Sequence, residues 1–352
     1  MNEETKNKLI ADILDLSRQN NIAPLSDFFQ NTLSDAIDDG VFLPPHSLDL
    51  VAENIVHQLV DYRLQTGVST TVLGMSGGVD SALTAALFKK AGWRVIGVTM
   101  PIHQVQAETD RGVEACQALG IEHLHIDLSG LYDATLNQLG GATSMRIEGQ
   151  TALDEALSEI TDPDDPNAKA IKIRRGNVRA RLRMITLYNL ASKNGGLVAS
   201  TDNLSELFAG FWTRFGDQGD VSPIQSLWKS WEVPYLAKVM GVPESTWRAT
   251  PTDGLGIDAG DEAQLGASYL EWDLMVYVLD KAIISDIDAG DPNNLDITEG
   301  SRAMTVYQNV MSRMGSTWFK RMGSINLKHH FDDRYAMADM IDDTLFRPPV
   351  VK

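Results

Sequence analysis

The run Gly74-Met75-Ser76-Gly77-Gly78-Val79-Asp80-Ser81 brings together residue types suited to phosphate chemistry. It follows a short apolar stretch, Thr71-Val72-Leu73, and enters Ala82-Leu83-Thr84-Ala85-Ala86-Leu87-Phe88, so it reads as the turn between a buried strand and a helix. Adjacent glycines let backbone amides approach an anion. The helix N-terminus adds unpaired N–H groups and partial positive charge, and Ser76 and Ser81 add hydroxyls. Asp80 would repel a polyphosphate, and a bridging Mg²⁺ resolves that conflict. No Gly-Lys pair occurs in the chain, so this is not a Walker loop.

Such a loop needs a sheet behind it, and the flanking sequence supplies one. Arg94 to Met100 reads as a second strand, Glu108 to Leu119 as a helix stopped by Gly120, and His123 to Asp127 as a third strand. Strands alternating with helices predict an α/β fold with a doubly wound, mainly parallel sheet. His123 and His125 share a strand face without a partner motif and read as ordinary histidines. A fourth strand, Gly196 to Ser200, runs into Thr201 and Glu206, which places both near the ligand-bearing carboxyl edge of an open sheet.

Before that strand, Arg174 to Ala191 reads as a helix. Steps of about 100° put Val178, Leu182 and Ile185 on one apolar face, with Met184 and Tyr188 beside it. Arg179 and Arg183 fall on the polar side. Arg181 falls among the apolar residues, where a guanidinium needs an anionic or carbonyl partner, either a structural ion pair or a ligand.

Residues 1–43 read as helical with polar breaks, closed by Leu43-Pro44-Pro45. Leu48, Val51, Ile55, Leu59 and Val60 then recur at helical spacing, a stripe that fits internal core or a subunit contact. The acidic, proline-broken Thr161-Asp162-Pro163-Asp164-Asp165-Pro166 reads as an exposed linker or lid. Phe211 to Gly260 is irregular enough to be a binding surface, and Tyr269 to Ile287 and Arg302 to Met314 read as helices. The expected organisation is a helical extension at 1–45, a catalytic domain at 46–330 and a tail at 331–352.

A length of 352 residues accommodates one large or two modest domains. The net charge of −18 argues against a nucleic-acid partner, which needs a basic surface. The chain has no apolar run long enough for a signal peptide or membrane span, so a cytoplasmic location without membrane association is expected. Cys116 is the only cysteine, which excludes an internal disulfide and a cysteine-based zinc cluster.

The Ser-Gly-Gly-x-Asp-Ser run resembles the pyrophosphate loop of the ATP pyrophosphatases, a Rossmann-like class that activates oxygens by adenylation. Further runs narrow the resemblance to ammonia-dependent NAD synthetases: Asn177 to Met184, Ser200 to Glu206, Gly210 to Asp217, Thr250 to Leu255 and Asp261 to Tyr269. The resemblance implies amidation of deamido-NAD with ATP and ammonia, giving NAD, AMP and pyrophosphate through an adenylate. It implies that Gly74, Met75, Ser76, Gly77, Gly78, Val79, Asp80, Ser81, Thr201, Lys229 and Thr252 bind ATP, with Asp80 and Lys229 catalytic and Asp80 and Glu206 holding Mg²⁺. Arg181, Arg214, Asp220 and Lys320 would bind deamido-NAD, and the protein would be a homodimer. The synthetase motifs begin by residue 74, which leaves no room ahead of them for an amidase domain, so free ammonia or ammonia from a separate protein is the implied donor.

The chain departs from the family pattern at four places. Arg214 replaces a common lysine, the turn before Asp220 is one residue shorter, Ala249 stands where many members carry lysine, and Phe319 replaces a histidine. Other readings are a tRNA-modifying member of the same superfamily, or a nucleotide-binding homologue that has lost turnover.

Overall fold

The computed structural model describes residues 1–17, 24–140, 168–251 and 260–322. At its centre a parallel sheet runs in the order β3-β2-β1-β4, formed by Thr70–Gly74 (β1), Arg94–Thr99 (β2), Glu122–His125 (β3) and Leu197–Val198 (β4). Thr71 aligns with Val95 on one side and Leu197 on the other. From β1 the chain passes through α4 (Val79–Lys90) to β2 and through α5 (Gln106–Leu119) to β3. Helices α6 (Ser129–Gly140) and α7 (Ala168–Lys193) then precede β4 on the far side of β1. The winding therefore reverses between β1 and β4, and their carboxyl ends flank the crevice where such sheets take ligands.

Alternation along the strands builds a core on each face. Val72, Ile96, Val98 and Val198 pack with Leu128, Tyr132, Met184 and Leu187 of the α6–α7 layer. Leu73, Val95 and Leu197 pack into the larger core with α3 (Pro45–Thr66) and α4. Leu48, Ile55 and Leu59 of α3 are buried in that core, so the stripe serves the chain's own interior. Each such side chain contributes about 1.5–3 kcal/mol on burial. Pro45 opens α3 at a position where the missing amide hydrogen costs nothing. Helices α1 (Glu3–Ser17) and α2 (Asp27–Asp38) join the same core through Leu9, Ile13, Phe29 and Leu33.

Among the described residues the remaining α-helices are α8 (Leu204–Ala209), α9 (Glu232–Val239), α10 (Glu244–Trp247), α11 (Asp261–Leu265), α12 (Tyr269–Ile284) and α13 (Arg302–Thr317). Among the described residues no helix is long and apolar enough to cross a membrane. Thr252, the stretch around Asp164 and the 331–352 tail lie outside the described residues.

Helix α7 forms where the spacing predicts, but with a different face inward. Its buried line is Ala180, Met184, Leu187 and Ala191, whereas Ile185 is 67% exposed. Apolar residues occupy much of this helix's circumference, so periodicity alone does not choose the stripe. Docking onto β1 and β4 chooses it, and the two alanines bring the helix close. Arg181 consequently stands on an exposed face with Ile185 and Tyr188, and the half-buried Arg183 turns toward the crevice.

Candidate functional site

The crevice holds a cavity of about 470 Å³ lined by the whole Gly74–Ser81 run, with Thr201, Glu206, Lys229 and Lys320. The loop's shape follows from close approach. Gly77 has φ of 86°, and a Cβ there would lie 2.1 Å from the Glu108 carbonyl oxygen, so no other residue fits. Gly112, one turn further along α5, leaves the same absence of space beside the Met75 carbonyl. Arg111 Nε donates to the Gly77 carbonyl at 3.2 Å, fastening α5 to the loop. Gly78 caps α4 with ordinary extended backbone, its N–H donating to Ser76 Oγ at 3.2 Å. Ser81 Oγ donates to the Gly78 carbonyl at 3.0 Å, so both serines brace the turn as well as facing the cavity.

Asp80, in the first turn of α4, is ion-paired with Lys229 and accepts from Asn203 Nδ2 at 3.0 Å. Asn203 also caps α8 through a reciprocal box: its side chain accepts from the Glu206 N–H, and Glu206 Oε2 accepts from the Asn203 N–H at 3.1 Å. Asp80, Lys229 and Glu206 are thus tied together through one asparagine at the end of β4. Lys229 lies on an irregular segment whose backbone N–H donates to Ser205 Oγ at 3.0 Å.

Carboxylates and cations both line the cavity. Burial raises the Glu206 carboxyl well above the usual range, with Asp80 adding to the rise and Lys229 opposing it. Asp202 is raised in the same direction by burial and by the charges of Asp217 and Asp80. Burial works against the Lys229 ammonium, yet Asp80 and Glu206 outweigh it and hold the group above its ordinary value. At the other end of the cavity, burial raises Asp217, while its bond from the Thr213 N–H and the charges of Arg183 and Lys320 pull it back. Lys320 donates to the carbonyls of Gly210 and Trp212 at 2.7 and 2.6 Å.

The structure divides the expected residues into two groups. Arg181, Arg214 and Asp220 do not line the cavity. Arg181 Nε donates to the Arg214 carbonyl at 3.3 Å, and Tyr188, two turns further along α7, donates to Asp220 Oδ1 at 3.0 Å. Asp220 Oδ2 also accepts from the Val198 N–H, which closes the edge of β4. Arg214 lies 5.4 Å over the ring of Phe215, an exposed residue held at φ of 62°, which is unusual for so bulky a side chain.

Spacing alone did not single out Asp202, Asp217, Arg183 and Arg313, all of which line the cavity. Asp202 was within reach, because the strand-end argument that selects Thr201 and Glu206 covers it. Arg248, next to Ala249, pairs with Glu244 and Asp15 and stacks 4.6 Å over Trp247. His123 and His125 both bond to Thr99 Oγ1 at 2.9 Å. Cys116 is fully buried against Gly97, and burial pushes its thiol up to about 12, which removes it from nucleophilic chemistry.

A glycine-bearing strand-to-helix turn at a sheet's switch point, with a carboxylate in the first turn of the helix, makes this a doubly wound α/β fold of the kind that takes anionic ligands at that crevice. Solved structures share that fold. The NMN synthetase of Francisella tularensis superposes with a TM-score of 0.62 at 23% identity, covering 80% of this chain and 99% of that one. The NH3-dependent NAD synthetase of Campylobacter jejuni, in complex with nitrate, gives 0.55 at 24% over the same shares.

The sequence comparison is narrower. The NAD synthase family model matches residues 51–322, and the chain belongs to that family. The NH(3)-dependent NAD(+) synthetase of Alkaliphilus oremlandii is 34% identical over 219 residues, 62% of this chain and 80% of that protein. The Methanosarcina mazei protein of the same description is 33% identical over 246 residues, 67% and 85% of the two chains.

Proposed function

We propose that this protein makes NAD in the cytoplasm from deamido-NAD, ATP and ammonia. The observation that carries the reading is the Asp80–Lys229 pair at the N-terminus of α4, in a cavity lined by the whole glycine-serine loop. A carboxylate accepts ammonia poorly until one of its oxygens becomes a leaving group. In the first step a nicotinate oxygen attacks the α-phosphorus of ATP, the bond to the β,γ-phosphates breaks, and pyrophosphate departs. In the second, the ammonia nitrogen attacks the acyl carbon, the acyl–oxygen bond breaks, AMP leaves, and the nitrogen loses a proton.

The loop amides and the α4 N-terminus would hold the departing phosphates, where fixed donors stabilise developing charge. Lys229 would add a cation directed at the same oxygens, and Thr201 would contact ATP from the end of β4, as Thr252 would from the 250–255 run. The donors suit Mg²⁺: Asp80 and Glu206 offer hard carboxylate oxygens, and the Glu206 carboxyl is raised first by burial and then by the charge of Asp80, which a bound cation would offset. Asp80 and Glu206 would hold the ion, which when bound neutralises the polyphosphate.

Arg181, Arg214 and Asp220 would bind deamido-NAD outside the loop cavity, with Lys320 reaching it from within. Their exposure supports a site completed by a second copy of the chain: Ile185 and Phe215, 67% and 68% exposed, flank them. A homodimer across this face would bury both. Residues 1–45 are an extension added to a synthetase unit at 46–330.

The test supplies purified protein with deamido-NAD, ATP, Mg²⁺ and either ammonium or glutamine. NAD and AMP formed together with ammonium alone support the reading. AMP formation without NAD, or no product at all, overturns it. Nicotinate mononucleotide in place of deamido-NAD asks whether the adenylate half of the acceptor is recognised.

A further inference from the structure

Lys229 stands in the turn at 229–231 that leads into α9. The first turn of α9 holds one side of it: the Trp228 N–H donates to Glu232 Oε2 at 2.9 Å, and the Trp228 carbonyl accepts from the Glu232 and Val233 N–H groups. Three further supports converge on residues 228–231 from outside α9, and one of them comes from the N-terminal segment upstream of the family-matched region at 51–322.

The first support is α8. Ser205 accepts the Lys229 N–H, and the Phe208 ring stacks on Trp228 with centroids 5.9 Å apart and planes 18° from parallel. The second is α12, where Asp273, fully buried, accepts the Ser230 N–H at 3.2 Å. The third is the segment 39–43. Phe42, also fully buried, stacks on Trp228 at 6.3 Å and 10° from parallel, and the Leu43 carbonyl accepts from Trp231 Nε1 at 2.8 Å.

Trp228 is therefore packed between Phe42 and Phe208, and the residue after it carries the amine that meets Asp80. Phe42 is itself fixed. Its N–H bonds to the Ala36 carbonyl at the end of α2, and Asp39 is anchored to Tyr277 and Lys281 on α12.

We propose that the segment Asp39 to Leu43 is a positioning element for Lys229, acting through the Phe42–Trp228–Phe208 stack and the Leu43–Trp231 hydrogen bond. The proposal rests on the role given above to Lys229 at the phosphates of ATP. Phe42 does not line the cavity. Its ring sets where the Trp228 indole lies, and so where the next Cα presents its ammonium. Misplacement by about 1 Å at a site of this kind costs on the order of 100-fold in rate.

The experiment compares Phe42→Ala, Phe42→Tyr and Ile13→Ala in the full chain. Ile13 is as deeply buried in the same extension but lies in α1, so its truncation reports simple loss of packing. Two readouts are taken at a temperature where each variant's circular dichroism matches that of the parent chain: steady-state kinetics, and ATP affinity by calorimetry with Mg²⁺. Phe42→Ala should lower kcat at least tenfold and weaken ATP about fivefold, with KM for deamido-NAD within about twofold. Phe42→Tyr, which keeps the ring, should restore both, and Ile13→Ala should leave both near the parent values.

Equal losses in Phe42→Ala and Ile13→Ala overturn the proposal, as do parent values in Phe42→Ala. A parent chain that binds ATP but forms no NAD would end the synthetase reading alone. The calorimetric ranking of the three variants would still decide this one.

Discussion

The loop cavity and the Arg181–Arg214–Asp220 face are both assigned to substrate, yet the fold treats them differently. In the cavity the polar groups are buried or half-buried and tied to one another: Asp80 to Lys229 and Asn203, and Asn203 to Glu206. On the outer face the corresponding side chains contact a backbone carbonyl, a backbone amide, a tyrosine and an exposed ring. A preorganised cavity can stabilise a charged transition state from within one chain. An exposed group of charges gains that power only when something covers it.

The most disruptive challenge to this contrast is Asp80→Asn. It should lower kcat/KM by about 1,000-fold or more, the scale of losing a positioned transition-state charge. Removing the carboxylate leaves a buried ammonium with poorer compensation, so a loss of roughly 3 kcal/mol in denaturant unfolding should accompany it. Activity near that of the parent chain would show that the cavity is not the reaction centre.

Gly77→Ala should come next, lowering activity about 100-fold by expelling the Glu108 carbonyl from the loop. Gly78→Ala should stay within about fivefold, because its backbone is extended and its nearest new neighbour is Ser76 Oγ at 3.4 Å. Equal effects at the two glycines would mean that ligand contact, not loop strain, explains both.

On the outer face, Arg181→Ala should raise KM for deamido-NAD roughly tenfold and leave calorimetric ATP affinity unchanged, since the lost charge contact lies outside the cavity. Ile185→Asp should convert a dimer to a monomer in light scattering and weaken deamido-NAD, not ATP. A coupled loss of ATP binding in either variant would merge the two regions into one site.

The smallest effect concerns the packing beneath Lys229. Glu232, whose Oε2 accepts the Trp228 N–H, is pushed up to about 8 by burial, and Asp273 to about 7 for the same reason. Both folded-state values lie above the unfolded ones, so the stability they contribute is complete below about pH 4 and is lost as pH rises toward 7–8. Glu232→Gln removes that titration and keeps an acceptor for Trp228. Urea unfolding should therefore show the variant gaining on the parent chain between pH 5.5 and 8.5, by roughly 3 kcal/mol at most. A gain confined to acidic pH would reverse the sign and refute the assignment.

The loop was legible in the sequence because its constraints are local: the glycines, the strand before them and the helix after them lie within about twenty residues. Thr201 and Glu206 were legible by the same logic at the end of β4. Asp202 sat in the same run and went unmarked, because a carboxylate beside other carboxylates is recognisable as functional only once they share a cavity. The helix bearing Arg181 follows from its spacing, but its most buried line does not, since Ala180, Met184, Leu187 and Ala191 form a less apolar stripe than Val178 and Leu182, which are only partly buried, and Ile185, which is exposed.

The alternation of strands and helices, the glycine-serine turn and the family motifs can all be read along the chain, because each depends on residues adjacent in it or spaced by one structural period. That Arg183 and not Arg181 faces the crevice, and that Asp220 closes the edge of β4, follows from how the layers pack. So does the contact of Phe42, 187 residues before Lys229, with its neighbour Trp228. Those outcomes depend on which surfaces meet when the layers close, and one-dimensional spacing carries no record of that.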